Sequence, residues 1–149
     1  MHRHAPAAPA PRPAQRRAEA AVRGHEARQI AIRVTGAHFD AAYEIYAHVA
    51  VAEEEKTSPA RISAICAGLR PMDLNDQENV AFDVAYALVK GGVLPEPCYR
   101  LAVETFGQHG ANERIYLVGL YSLVSVTLNG FNVPVPERAC PPSAAAAPP

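Results

Sequence analysis

Proline placement is the strongest constraint on how this chain can fold. Proline fixes φ and lacks an amide donor, so helix interiors and central strands exclude it. Of 14 prolines in 149 residues, four lie before residue 14 and six after residue 133. Only Pro59, Pro71, Pro95 and Pro97 fall between. The Ala/Pro-rich ends therefore predict disordered tails, residues 1–14 and 137–149, around one domain, residues 15–136. A core of about 120 residues buries roughly two thirds of its unfolded surface, enough to fold alone.

Composition excludes further classes. The longest uncharged apolar run, Ile115 to Leu128, is too short to span a bilayer. The N-terminus has no apolar stretch of the signal-peptide kind; its Arg-rich, acid-free start fits a transit peptide less well than a plain disordered extension. Charge is uneven. Residues 1–33 carry seven Arg against Glu19 and Glu26, whereas residues 34–137 carry six basic and 13 acidic residues. An acidic globule without interleaved aromatic and basic residues is a poor nucleic-acid binder. The Arg-rich segment is suited to docking on an acidic neighbour, such as a second subunit. The three cysteines, at 66, 98 and 140, form neither CxxC nor a zinc-finger spacing. No disulfide framework is expected, which points to a reducing, cytoplasmic location. Cys66 and Cys98 read as small buried hydrophobes on helices, and Cys140 as a free thiol in the tail.

The interior reads as six helices. The first spans Gln15 to Val34 and ends at Gly36; the second runs from about Phe39 to Glu54, with Ala41, Ile45, Val49 and Ala52 on one face. Glu53, Glu54 and Glu55 oppose the macrodipole there and read as a fraying, solvated end. Ser58-Pro59 restarts the chain with an N-cap and a first-turn proline. Asn75 and Glu78 form a capping-box pattern before the fourth helix, which Gly91-Gly92 terminates. Leu94 to Gly107 is the fifth, and Gly110 opens a sixth, Ala111 to about Leu128. Apolar almost all round, that last helix is expected both in the core and at an oligomer contact. Tyr121 to Thr127 is the nearest strand-like run, but it continues the helical pattern. The fold class is all-α.

The richest chemistry lies on the second helix. Glu44 and His48 are four apart and share a face. A carboxylate there can bind one imidazole nitrogen, fix the tautomer and leave the other nitrogen for proton transfer. The bland alternative is a surface i,i+4 pair. His38, by itself, reads as a structural residue at a helix start. Together His38, Glu44 and His48 offer two nitrogens and a carboxylate, a set that suits zinc or iron. Six residues across a helix start is no recognised ligand spacing, however, so neither metal nor cofactor is expected.

Several short motifs recur in a telling order: Arg28-Gln29-Ile30-Ala31, Tyr43-Glu44-Ile45-Tyr46-Ala47-His48, and Ser58 to Ile65. Asn79 to Asp83, Leu117 to Tyr121 and Val133-Pro134-Val135-Pro136 follow. In order and spacing they resemble the carboxymuconolactone decarboxylase family, the all-helical AhpD-like superfamily. The resemblance implies a six-helix AhpD-like bundle completed by oligomerisation, as a trimer or hexamer. The redox members of that family, the alkylhydroperoxidases, carry CxxC followed four residues later by His. That His corresponds to His48, and the cysteines to Ala41 and Glu44. With both thiols missing, CxxC peroxidase chemistry cannot run here. The decarboxylase-type members instead have Glu in the second cysteine's place. A relay Glu of the redox members corresponds to Gln29, which can hydrogen-bond but cannot carry a proton.

The resemblance therefore implies a cofactor-free carboxy-lyase or related acid/base enzyme. Its substrate would be a small carboxylate or lactone from aromatic catabolism. His48 is the expected acid/base and Glu44 its orienting partner. Gln29, Tyr43, Arg28, Arg33 and His38 are the substrate-binding candidates. A non-catalytic oligomeric scaffold or binding protein of the same fold is the rival. A third reading, thiol peroxidase activity through Cys66 or Cys98, requires the fold to bring the two within about 7 Å. Neither nucleic acid nor membrane is an expected partner.

Overall fold

Local capping sets most of the helix boundaries. The computed structural model describes residues 13–137, and the chain there is all-helical. The helices are α1 (Pro13–His38), α2 (Ala42–Glu54), α3 (Pro59–Cys66), α4 (Asp76–Val89) and α5 (Glu96–Gly130). Residues 1–12 and 138–149, which hold Cys140 and nearly all of the expected tails, lie outside the described residues. Ser58 caps α3 by accepting from the Arg61 amide at 3.3 Å. Asn75 and Glu78 complete a reciprocal capping box at α4. Both follow from side chains three residues from the groups they satisfy.

Two glycines behave differently from expectation. Gly36 does not stop the first helix; it lies buried inside α1, and a Cβ there would sit 2.9 Å from Glu44 Cγ. It is small so that α2 can approach. The chain turns instead at Asp40, which takes a φ of 47°. His38 consequently ends α1 rather than opening α2. At the other glycine site, the segments expected as fifth and sixth helices are two arms of α5, broken at Gly107 with φ 72° and ψ 169°. Gly110, expected to open the second arm, is buried within it against Phe106.

α1 packs against all four other helices. Ile30, Ala31, Ile32 and Val34 form its buried face, meeting Ile65, Phe82, Ala85, Leu117 and Val118. A second cluster joins α4 to both arms of α5 through Val80, Val84, Ala102 and Ala111. Arg61 ties α3 to α4: its guanidinium donates to Glu78 at 2.7 Å and to the Asp73 carbonyl at 2.6 Å. Burial alone would lower the Arg61 pKa, but Asp73 and Glu78 outweigh it and the net direction is upward.

The second arm of α5 is only partly enclosed. Leu117 and Val118 face inward, whereas Tyr116, Leu120, Leu123 and Val126 are exposed. Among the described residues, no helix is long and apolar enough to cross a membrane.

Candidate functional site

The short turn at Asp40 folds α2 back against α1, and this places Glu44 and His48 beside the middle of α1. Glu44 is buried, with only 5% of its surface exposed. Its Oε1 lies 2.9 Å from His48 Nε2, an ion-pair distance. The alignment falls short of a hydrogen bond, so this oxygen is buried without a hydrogen-bond partner. The other ring nitrogen, Nδ1, is 3.2 Å from Gln29 Oε1 on α1. Tyr121 of α5 closes the imidazole edge-on, with ring centroids 5.5 Å apart. His48 is thus held from three helices. An amide can present either an acceptor or a donor, so Gln29 is compatible with either tautomer of the ring.

Behind this pair lies a small cavity lined by Arg33, Gly36, Glu44, His48, Ile65 and Cys66, among others. Its volume is about 20 Å³, enough for one water-sized molecule. Two of its lining residues carry buried atoms without hydrogen-bond partners, the donor Arg33 Nε and the acceptor Glu44 Oε1. Arg33 is lowered in pKa by burial, which its partner Glu55 opposes. The Arg33–Glu55 contact is 3.1 Å, and Glu55 also meets His25 at 2.7 Å. The acidic end of α2, expected to be solvated, therefore docks Glu55 onto α1.

A second space opens on the other flank of α1, between it and α5. This cleft measures about 730 Å³ and is lined by His25, Arg28, Gln29, Glu113, Arg114 and Tyr121, among others. Gln29 and Tyr121 form part of its wall and also touch His48. Arg28 is bonded to Glu113 across the cleft.

The expected site residues are therefore divided. Glu44, His48 and Gln29 come together, Arg33 joins Glu44 and His48 at the small cavity, and Arg28 faces the cleft. His38 lines a different cavity with Val34, Phe82 and Tyr86, and its ring stacks edge-on against Phe39. Tyr43 packs beside Tyr46. Among the described residues, no cluster of three or more His, Cys, Asp or Glu could hold a metal. Cys66 and Cys98, expected to be buried, are exposed and half-buried respectively, and both are free thiols. Cys66 is the last residue of the short α3, which leaves it at the rim. Since α3 and α5 make no contact, the two cysteines are too far apart for a disulfide.

Tyr121, Glu113 and Arg114 carry no sequence signal as site residues; helical periodicity places them on α5 without naming what they face. Compared with known protein families, curated proteins and solved structures, the chain finds no match. The family resemblance rests on the order of the sequence motifs alone.

Proposed function

We propose that this protein is a cofactor-free acid/base enzyme of the carboxymuconolactone decarboxylase type. It acts on a small carboxylate or lactone as a cytoplasmic homo-oligomer, trimeric or hexameric. The observation that carries the reading is His48, held between a buried carboxylate and an amide that lines a substrate-sized cleft. In such a reaction the substrate carboxylate departs as CO2. The electron pair left behind is delocalised into the adjacent unsaturated lactone, and a proton must be delivered to it. His48 is the proton donor and Glu44 its orienting partner. Gln29 stands between the ring and the cleft, so a rotation of its amide opens Nδ1 to a bound ligand. Arg28 is the better carboxylate anchor of the two candidates. It is partly exposed on the cleft, whereas the Arg33 side chain is only 8% exposed and engaged by Glu55. The exposed apolar row Tyr116, Leu120, Leu123 and Val126 is the surface for subunit contact.

One observation favours the second reading, a non-catalytic scaffold or binding protein: the cavity that contains His48 itself has room for a water-sized molecule only. A screen of lactone and keto-acid decarboxylation separates the two. Wild-type turnover that His48→Ala abolishes, with helix content and oligomer size unchanged, supports the enzyme. Unchanged turnover in His48→Ala sinks the assignment, and no turnover on any substrate favours the scaffold.

A further inference from the structure

The α1–α5 cleft contains a charge imbalance that the fold does not resolve. Arg114 is 4% exposed and lines the cleft. A buried guanidinium is costly unless its charge is matched and its five N–H donors are used. Arg114 stacks its cation 3.9 Å over the Phe106 ring and donates to the Gly110 carbonyl at 3.2 Å. It reaches the Gly24 carbonyl at 3.4 Å, and its Nε is buried with no hydrogen-bond partner. Burial lowers its pKa, and Glu113 opposes this.

Among the described residues its one carboxylate partner is Glu113, whose Oε2 is 3.1 Å from Arg114 Nη1. The same carboxylate gives its other oxygen, Oε1, to Arg28. Two guanidiniums thus share a single negative charge. Histidines 25 and 109 and the amides of Gln29 and Gln77 also line the cleft, and among the described residues Glu113 is the one acidic residue in its wall. Gln77 also brings a buried amide oxygen with no hydrogen-bond partner.

We propose that this cleft is a binding site for a small organic carboxylate, and that Glu113 is its resident competitor. The incoming carboxylate takes the place of Glu113 on Arg28, the more exposed of the two cations, while Arg114 supplies the fixed buried charge behind it. A guanidinium freed from Glu113 can pair with a carboxylate through two parallel bonds, which favours an anion over a neutral ligand of the same size. The size of ligand rests on the decarboxylase reading, whereas the charge argument stands without it.

The test is calorimetric titration of the full chain with maleate, a small dicarboxylate, and with its neutral dimethyl ester. Titration reads binding without turnover, so a protein that decarboxylates nothing still passes or fails. Maleate binding is expected, with no heat from the ester. Glu113→Gln removes the internal competitor and should tighten maleate about tenfold, while Arg28→Met should weaken it by a similar factor. Arg28 is partly exposed, so its replacement leaves the core intact. Arg114→Met serves as a third variant, read only where circular dichroism shows the native fold. Maleate binding that is unchanged in Glu113→Gln and Arg28→Met overturns the proposal. So does absence of binding in both wild type and Glu113→Gln, or equal binding of the ester.

Discussion

The two flanks of α1 handle charge in opposite ways. On the α2–α3 flank each guanidinium has a carboxylate of its own: Arg61 has Glu78 and Asp73, and Arg33 has Glu55. The spaces on this flank are about 20 Å³ beside Glu44 and His48 and about 210 Å³ among Arg33, Glu55, Arg61 and Glu78. On the α5 flank two guanidiniums share Glu113, and the space is about 730 Å³. A guanidinium with a carboxylate of its own needs no ligand to balance it. An unmatched buried cation beside an open cleft leaves part of its stabilisation to whatever binds. Under the proposed function the contrast separates two tasks: the α2 flank would position a proton-transfer group, and the α5 flank would select an anion. Gln29 and Tyr121 join them, because each touches His48 and also lines the cleft.

The largest effect expected of any single change is on the link between the flanks. His48→Ala should lower turnover by roughly 10²–10⁴-fold, the usual worth of a positioned general acid or base. His48→Ala strands the buried Glu44 carboxylate, so thermal unfolding should fall to a lower temperature, while helix content and the size-exclusion profile stay close to wild type. A large loss of stability instead of activity would make His48 a packing residue and erase the division of labour.

Next in size is the cost of removing one charge partner on each flank. Arg61→Ala leaves Glu78, 1% exposed, without its counter-charge. Breaking a buried pair this way costs about 3 kcal/mol. Arg28→Ala removes a partly exposed cation whose partner Glu113 keeps Arg114, so the loss should stay below about 1 kcal/mol. Urea denaturation of both variants measures the difference. Equal losses would mean that the α5 flank is as tightly matched as the other.

Gly36→Ala tests how tightly the α2 flank is packed. Alanine gains about 1 kcal/mol in helix propensity over glycine. Against that, the new Cβ would meet Glu44 Cγ at 2.9 Å. Cγ is near the base of a buried side chain and cannot swing away freely. Overpacking of this kind costs about 1–3 kcal/mol, so the clash should win and leave a net destabilisation of about 1 kcal/mol in urea melts. Because the displaced group is the carboxylate proposed to orient His48, turnover should fall more than stability does. A stabilised Gly36→Ala would show that the flank has slack.

Features decided within three or four residues were legible in the sequence. The Ser58 cap, the Asn75–Glu78 capping box and the Glu44–His48 pairing all follow from helical spacing, and all-α architecture follows from the periodicity between the prolines. Glycine was read rightly at Gly107, where a positive φ breaks the helix, and wrongly at Gly36 and Gly110, where the cause is a close approach of another side chain; a bare sequence cannot tell these apart. Glu55 read as a solvated charge because its partners, His25 and Arg33, lie on another helix. The Arg28–Glu113–Arg114 cluster was illegible for the same reason: it exists only once α1 and α5 are side by side.

The smallest expected effect concerns Cys66, which sits on the rim of the matched flank. Desolvation raises its pKa above the ordinary thiol value, and nearby Arg33 offsets this only in part. Raising the pKa of an acid keeps it neutral longer, so the thiolate that reacts with alkylating agents is scarce near pH 7. Alkylation of Cys66 by iodoacetamide should therefore be slower than that of a free cysteine at pH 7.5. It should catch up only as the pH rises past the usual thiol range, followed by mass spectrometry of the Cys66 peptide. The sign of the stability change follows: the unfolded chain ionises first, so this group's contribution is full below the ordinary thiol pKa and fades above it. Arg33→Met should slow alkylation further by removing the cation that favours the thiolate. Fast alkylation at neutral pH would instead mean that the cavity's charges act on the sulfur. The α2 flank would then hold an activated nucleophile, and the contrast with the α5 cleft would no longer be one of matched against unmatched charge.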